Sequence, residues 1–169
     1  MSTRVTPSNA EHPLALLQRT VGNRAVAETL QRTATEAAAS TCLTCTYHQT
    51  SGKLTCNNAD GKTVVDENGY SGAGDKKNDP KSQCVKNEGP LPRGSYTVGA
   101  ARKSNTPTVF TIPLTPAAAN EMCRRGSFLI HGDSVAKPGT ASEGCIIVSK
   151  TSRKTIAAAG CGTLEVVEK

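Results

Sequence analysis

The chain has 169 residues, enough for one domain with a tail, and no apolar run in it reaches transmembrane length, so membrane insertion is not expected. Its net charge of +6 comes from scattered Lys and Arg in nothing longer than doublets, and three Tyr, two Phe and no Trp offer no stacking platform. That excludes nucleic acid as an expected partner, while fifteen Gly and nine Pro around so few large apolar side chains imply a thin, turn-rich core that needs further support.

The first 40 residues read as a leader and linker, and residues 41–169 as the folded domain. Met1 to Pro13 is polar and expected to be disordered. Pro13 then opens a helical pattern in which Leu14, Leu17, Val21 and Ala25 recur, continued by Val26 and Leu30, with Gly22-Asn23 allowing two short helices in place of one. Thr33 to Ser40 is small and polar, as a linker would be. The helix can equally cap the domain. Leu14 to Leu17 is too short for the apolar core of a signal peptide, so export by the general secretory route is not expected.

From Thr41 the pattern turns to strands. Thr44–His48 and Lys53–Cys56 alternate across the turn Gln49–Gly52 as a hairpin, and Lys62–Asp66 follows the turn Asn58–Gly61. Glu67 to Glu88 reads as a long polar loop, a length that is usually functional or tethered. Strands are expected at Gly94–Val98 and Thr108–Ile112. Thr115–Gly126 carries strong helix punctuation: Thr115 as cap, Pro116 at the first position, Arg124-Arg125 at the negative end and Gly126 as the stop. Phe128-Leu129-Ile130 and Ile146-Ile147-Val148 read as short buried strands, Lys150–Ala159 as a helix ended by Gly160, and Thr163–Glu168 as a last strand. The fold class is therefore mainly β (α+β), a small sheet or sandwich with one or two short helices.

Seven cysteines supply the missing support: Cys42, Cys45, Cys56, Cys84, Cys123, Cys145 and Cys161. If Cys145 is free, the other six allow three disulfides in fifteen connectivities. Zinc is the rival, through Cys42-x-x-Cys45 with His48 and Cys56, but the second half of a metal motif is missing, and neither metal nor cofactor is expected. Disulfides imply an oxidising destination.

The chemistry concentrates between Ser127 and Ser149. His131 closes one apolar run and Cys145 opens the next, so pairing the two strands would bring an imidazole to a thiol, to remove its proton or to hold the thiolate as an ion pair. Gly144 permits a tight turn, and the Gly144 and Cys145 amides can face the oxygen of a tetrahedral intermediate. Ser142, or a carbonyl near Gly132, would orient the imidazole. Asp133 is a candidate third member, although a turn can use it locally. An inert buried thiol is the plain alternative.

His-Gly-Asp, then Ser-Glu-Gly-Cys-Ile-Ile, with Asn87-Glu-Gly-Pro-Leu-Pro-Arg-Gly-Ser-Tyr96 upstream, resembles the catalytic domain of L,D-transpeptidases and, more closely, their small relatives among type VI secretion effectors that act on peptidoglycan. The resemblance covers about residues 44 to 168. L,D-transpeptidases outside the effector-like branch carry Ser-His-Gly-Cys, whereas Glu143 stands at that second His position here, as the effector-like branch tolerates. The likeness implies a fold of the L,D-transpeptidase type, a Cys145 thioester, and removal or exchange of the terminal D-Ala of a tetrapeptide stem. It also implies that the long loop, with Tyr70, borders the substrate groove and that Arg153 after the cysteine helps bind the stem; the basic patch of that region, Lys76-Lys77 with Lys81, Lys86 and Arg93, can meet stem carboxylates, against ordinary solvation or packing. Leu16-Leu17-Gln-Arg-Thr-Val-Gly-Asn-Arg-Ala-Val-Ala-Glu-Thr-Leu30 is similar to the leader on cargo of extracellular contractile injection systems. It implies loading through residues 14–30 by tube- or sheath-associated proteins, export from the cytoplasm without a signal peptide, action in a target periplasm or wall, and an immunity protein as a further partner. A catalytically silent wall-binding or structural cargo module is the alternative function.

Overall fold

The computed structural model describes residues 42–102 and 111–169, together with Ala27, Glu28 and Leu30. Apart from those three, the expected leader and linker lie outside the described residues, as does most of the strand expected at Thr108–Ile112. The unit that carries the candidate site runs from residue 40 to Lys169.

Nine strands are described: β1 (Leu43–His48), β2 (Lys53–Asn57), β3 (Thr63–Asn68), β4 (Tyr70–Ser71), β5 (Gly94–Val98), β6 (Ile112–Pro116), β7 (Leu129–His131), β8 (Ile146–Ile147) and β9 (Gly162–Val167), with one helix, α1 (Lys150–Ala159). They are hydrogen-bonded in the order β3-β2-β1-β9-β5-β6-β7-β8-β4. In β1, β2, β5 and β9 every second residue points inward, so that Cys45, Tyr47, Leu54, Tyr96, Leu164 and Val166 enter the core. The Thr, Ser and Glu residues between them face water, as expected of a sheet with one wet face. Ile112, Ile130 and Ile146 extend the core through β6, β7 and β8, and Ile156 of α1 joins it.

β3 and β4 stand at opposite ends of the strand order but are separated in sequence by Gly69 alone. The sheet must therefore curl until its two edges approach each other. Gly69 is where the chain bends. A Cβ there would lie 2.1 Å from the Ile147 carbonyl oxygen, so only glycine lets the backbones come this close.

Three disulfides reinforce this thin core. Cys45–Cys56 joins directly paired positions of β1 and β2, Cys42–Cys161 joins the entries to β1 and β9, and Cys84–Cys123 ties the loop before β5 to the segment after β6. They close loops of 11, 119 and 39 residues, worth about 3, 5 and 4 kcal/mol on a chain-entropy model. Cys42, Cys45 and Cys56 are thus consumed as disulfides, which removes the thiolates that a zinc site would need.

The helix expected over Thr115–Gly126 does not form. Thr115 and Pro116 continue β6, and the chain then turns irregularly, with positive φ at Cys123 (51°), Arg124 (57°) and Ser127 (61°). Tertiary bonds outweigh the local signals. The Asn120 side chain pairs with both backbone groups of Ser95 at 3.1 and 2.8 Å, and Cys123 is bridged to Cys84. The long polar loop is also more structured than expected, containing β4 and two 3-10 turns, Gly74–Lys76 and Pro80–Ser82. By contrast, α1 follows its local signals. The Ser149 hydroxyl accepts from Ser152 N–H at 3.2 Å, Glu67 places a carboxylate at the same end, and Gly160 ends the helix at φ 71°.

Candidate active site

β7 and β8 pair in parallel, Ile130 beside Ile146 and His131 beside Ile147. Cys145 immediately precedes β8, and carrying the alternation of the strand back by one residue puts it on the face of His131, two positions apart along the strand direction. With strands ~4.8 Å apart and a rise of about 6.6 Å for two residues, ideal strand geometry separates their Cα atoms by about 8 Å. Cys145 is the one cysteine of the described residues outside a disulfide, and it is partly accessible.

The imidazole is held by its own turn. His131 Nδ1 lies 2.8 Å from the Gly132 carbonyl oxygen, which can only accept, so Nδ1 carries the proton and Nε2 of the neutral ring is left as the base. Arg153, buried in the first turns of α1, lies against the other side of that peptide. A Cβ on Gly132 would come within 2.5 Å of its guanidinium. Burial lowers the imidazole below its ordinary value; the Gly132 hydrogen bond opposes this, Arg153 reinforces it, and Asp133 opposes it weakly.

The thiol is shifted the other way. Burial pushes Cys145 up, a hydrogen bond from the Leu129 backbone pulls it down, the Glu143 carboxylate raises it and the Arg125 guanidinium lowers it. Both shifts favour the uncharged forms, a thiol and a neutral imidazole.

Ser142 does not reach the imidazole. Its buried hydroxyl accepts from Gly72 N–H (2.8 Å) and Gly144 N–H (3.1 Å) and donates to the Cys145 carbonyl (2.7 Å). It pins the turn that carries the thiol, and it occupies the Gly144 amide that was expected to face an oxyanion. Ser71 adds a second pin, donating to the Gly144 carbonyl at 2.9 Å and accepting from Leu91 N–H at 2.8 Å. Gly144 itself has φ 126°, a conformation that side chains avoid.

Asp133 is likewise used locally. Its carboxylate accepts from Tyr70 Oη at 2.6 Å, Gly139 N–H at 2.7 Å and Ser134 N–H at 2.8 Å, and it makes no hydrogen bond to His131. Burial would raise it, but these bonds and the nearby Lys77 charge prevail and hold it below the usual carboxylate range. Tyr70, whose hydroxyl also accepts from Ala141 N–H at 3.1 Å, is pushed up to about 12 by burial and by its bond to Asp133. Asp133 thus organises the loop from Ser134 to Ala141 instead of completing a triad.

Two cavities adjoin these residues. Cys145 opens into one of about 270 Å³ lined by Lys86, Arg124, Arg125, Phe128 and Glu143. Ile147, the neighbour of His131, lines another of about 310 Å³ with Glu67, Tyr70, Asp133, Lys150 and Arg153. Tyr70 and Arg153 thus meet at one cavity. Lys76 and Arg93 line neither: Lys76 pairs with Asp75 at 3.1 Å and Arg93 with Glu168 at 2.6 Å. Lys77 is the lysine beside Tyr70, its ammonium 4.5 Å from the ring centre. A larger hollow of about 400 Å³ over β1, β9 and β5 is lined by Thr and Ser side chains together with Tyr96, Leu164 and Glu165; its cysteine, Cys45, is disulfide-bonded and so offers no reactive thiol.

Sequence reasoning missed Arg125. It reads as a helix-terminal charge, yet its guanidinium turns inward to backbone carbonyls 18 to 42 positions away in the chain. No local signal marks such a contact.

The fold is shared with Pgp2, the helical cell shape determining protein of Campylobacter jejuni, at 18% identity and a TM-score of 0.54, over 76% of this chain and 48% of that one. L,D-transpeptidase 1 of Mycobacterium tuberculosis matches at 15% identity and a TM-score of 0.47, over 75% of this chain and 62% of that one. For L,D-transpeptidase 3 of the same organism the identity is 15% and the TM-score 0.48, over 75% and 61%. The chain therefore spans about half to three fifths of the length of these structures. No curated protein matches it. The family model of the Tlde1 domain matches residues 66–167, more than half of the chain, and the protein belongs to that family of type VI effector domains.

Proposed function

We propose that this protein is a cysteine acyl-transfer enzyme of peptidoglycan, an L,D-carboxypeptidase or L,D-transpeptidase that removes or exchanges the terminal D-Ala of tetrapeptide stems. The observation that carries this reading is the one free thiol of the described residues sharing a strand face with an imidazole whose Nδ1 proton is committed to Gly132. Membership of an effector domain family and a fold shared with a cell shape determining protein support the choice of substrate.

In the first half-reaction His131 Nε2 takes the Cys145 proton as sulfur attacks the carbonyl carbon of the diamino acid residue. The Cys145 amide is the backbone donor assigned to the oxyanion, since that of Gly144 is bound to Ser142. Collapse of the tetrahedral intermediate breaks the C–N bond, and the imidazolium returns the proton to the leaving D-Ala amine. Water or a second amine then resolves the thioester with the same proton traffic. Tyr70 and Arg153 are assigned to the stem. The three disulfides support action in an oxidising compartment such as a target periplasm, after export guided by residues 14–30.

Mass spectrometry of stem peptides incubated with the protein and with Cys145→Ala tests the proposal. Conversion of tetrapeptide to tripeptide, or exchange of the terminal D-Ala, is expected from the wild type alone. No conversion by a folded protein with a free Cys145 would favour the silent wall-binding module.

A further inference from the structure

Arg125 is half-buried, and its guanidinium hydrogen-bonds to backbone carbonyls of the described residues rather than to a carboxylate. Its Nη1 donates to the carbonyls of Gln83 and Pro90 (2.7 Å for the latter), and its Nη2 donates to those of Gly89 (2.8 Å) and Glu143 (3.0 Å). The guanidinium plane lies over Phe128, 5.2 Å from the ring centre. Four carbonyls from two loops thus converge on one planar fork, an arrangement that the point charge of a lysine does not reproduce.

One of the four belongs to the peptide immediately before Gly144. A Cβ on Gly144 would lie 2.3 Å from Arg125 Nη2 and 2.8 Å from the Phe128 ring, so the peptide that leads into Cys145 rests directly on the guanidinium. Cys145 and Arg125 line the same cavity. The Cys84–Cys123 bridge brackets the contact, since Gln83 precedes one of its cysteines and Arg125 lies two residues after the other.

We propose that Arg125 is a positioning residue, which clamps the Glu143–Gly144 peptide so that the Cys145 sulfur is held at the mouth of its cavity beside a fixed positive charge. It touches neither substrate nor His131 in this role; it acts through the turn and through its field. The charged groups that line the cavity with Cys145 are Arg125, Arg124 and Lys86 and, from its own turn, Glu143, while His131 belongs to the neighbouring strand β7. Four backbone carbonyls hold the Arg125 guanidinium in place, and its charge favours the thiolate that forms during attack.

This assignment rests on Cys145 being the nucleophile, so its test is given two readouts. The first is the rate of alkylation of the Cys145 thiol by iodoacetamide as a function of pH, in the full chain with disulfides intact, for the wild type, Arg125→Gln and Arg125→Lys. The second is stem-peptide turnover. For Arg125→Gln, the alkylation profile is expected to move to higher pH, and turnover to fall about 10- to 100-fold in kcat with little change in KM, the cost of a misplaced nucleophile. Arg125→Lys keeps the charge and loses the fork, so it should restore the alkylation profile but not kcat. A folded Arg125→Gln with a wild-type profile and wild-type turnover would overturn the proposal. So would unfolding of both variants, which would make Arg125 a support of the fold as a whole. If the wild type turns over no stem peptide, the function proposed above fails, while the alkylation profiles still decide for or against Arg125.

Discussion

Replacing Ser142 with Ala removes one oxygen and leaves three backbone partners without it. The hydroxyl is fully buried, accepts from Gly72 and Gly144 N–H, and donates to the Cys145 carbonyl. An abandoned buried donor or acceptor costs about 1–3 kcal/mol, and the carbonyl is the least affected because it keeps a second lone pair. Counting the two N–H groups at the low end and the carbonyl at less, the loss is about 2–3 kcal/mol. Urea unfolding of Ser142→Ala, with disulfides oxidised, should therefore show the midpoint lowered by about 1–3 M for a slope of 1–3 kcal/mol/M. Turnover should fall as well, since the same hydroxyl fixes the peptide on both sides of Gly144. A midpoint within 0.3 M of wild type, on the order of the smallest shift that such a slope resolves, with kcat unchanged, would refute the reasoning. It would mean that water replaces the hydroxyl and that the turn stands without it.

Three further outcomes follow from the same site. The Gly144→Ala variant should lose stability and turnover together, by about 1–3 kcal/mol for the φ of 126° alone, before the clash with Arg125 is added; thermal unfolding and stem-peptide turnover measure both. The acid limb of kcat/KM should fall below pH 6.5, because burial lowers His131, the base is active only when neutral, and a lowered pKa keeps it neutral to more acidic pH; a limb at or above 6.5 would contradict this. Replacing Cys84 and Cys123 with Ser should cost about 4 kcal/mol in denaturant unfolding, for a closed loop of 39 residues, and should also lower turnover, because the bridge brackets Arg125.

What the sequence discloses depends on how local the causes are. β5 and α1 have the bounds that alternation and punctuation suggest, Gly94–Val98 and Lys150–Ala159, because their signals lie within a few residues. The β1–β2 hairpin and the juxtaposition of the His131 and Cys145 strands are legible for the same reason. The segment after Thr115 is not, since its cap, proline and terminal arginines are outweighed by Asn120 on Ser95 and Cys123 on Cys84, partners 25 and 39 positions away. Ser142 and Asp133 are identifiable as polar residues near the thiol, but their partners Gly72 and Tyr70 lie 70 and 63 positions upstream, and only the curled sheet brings them together. Gly69 shows the same limit. Its neighbours in sequence say turn, while the reason for glycine is the carbonyl of Ile147.

The place of β9 bears on how the domain is made. It is the last strand in chain order, yet it lies between β1, which it meets in parallel over six positions, and β5, which it meets antiparallel over five. A chain emerging from the ribosome can close the β1–β2–β3 meander early, since those contacts are short in sequence, and can begin to assemble β5 to β8 separately. It cannot join the two until β9 is free of the tunnel, and Cys42 cannot meet Cys161 before then. The final strand is therefore a keystone. Loss of even its last few residues would leave two half-sheets with open edges, prone to aggregation, rather than a slightly shorter domain.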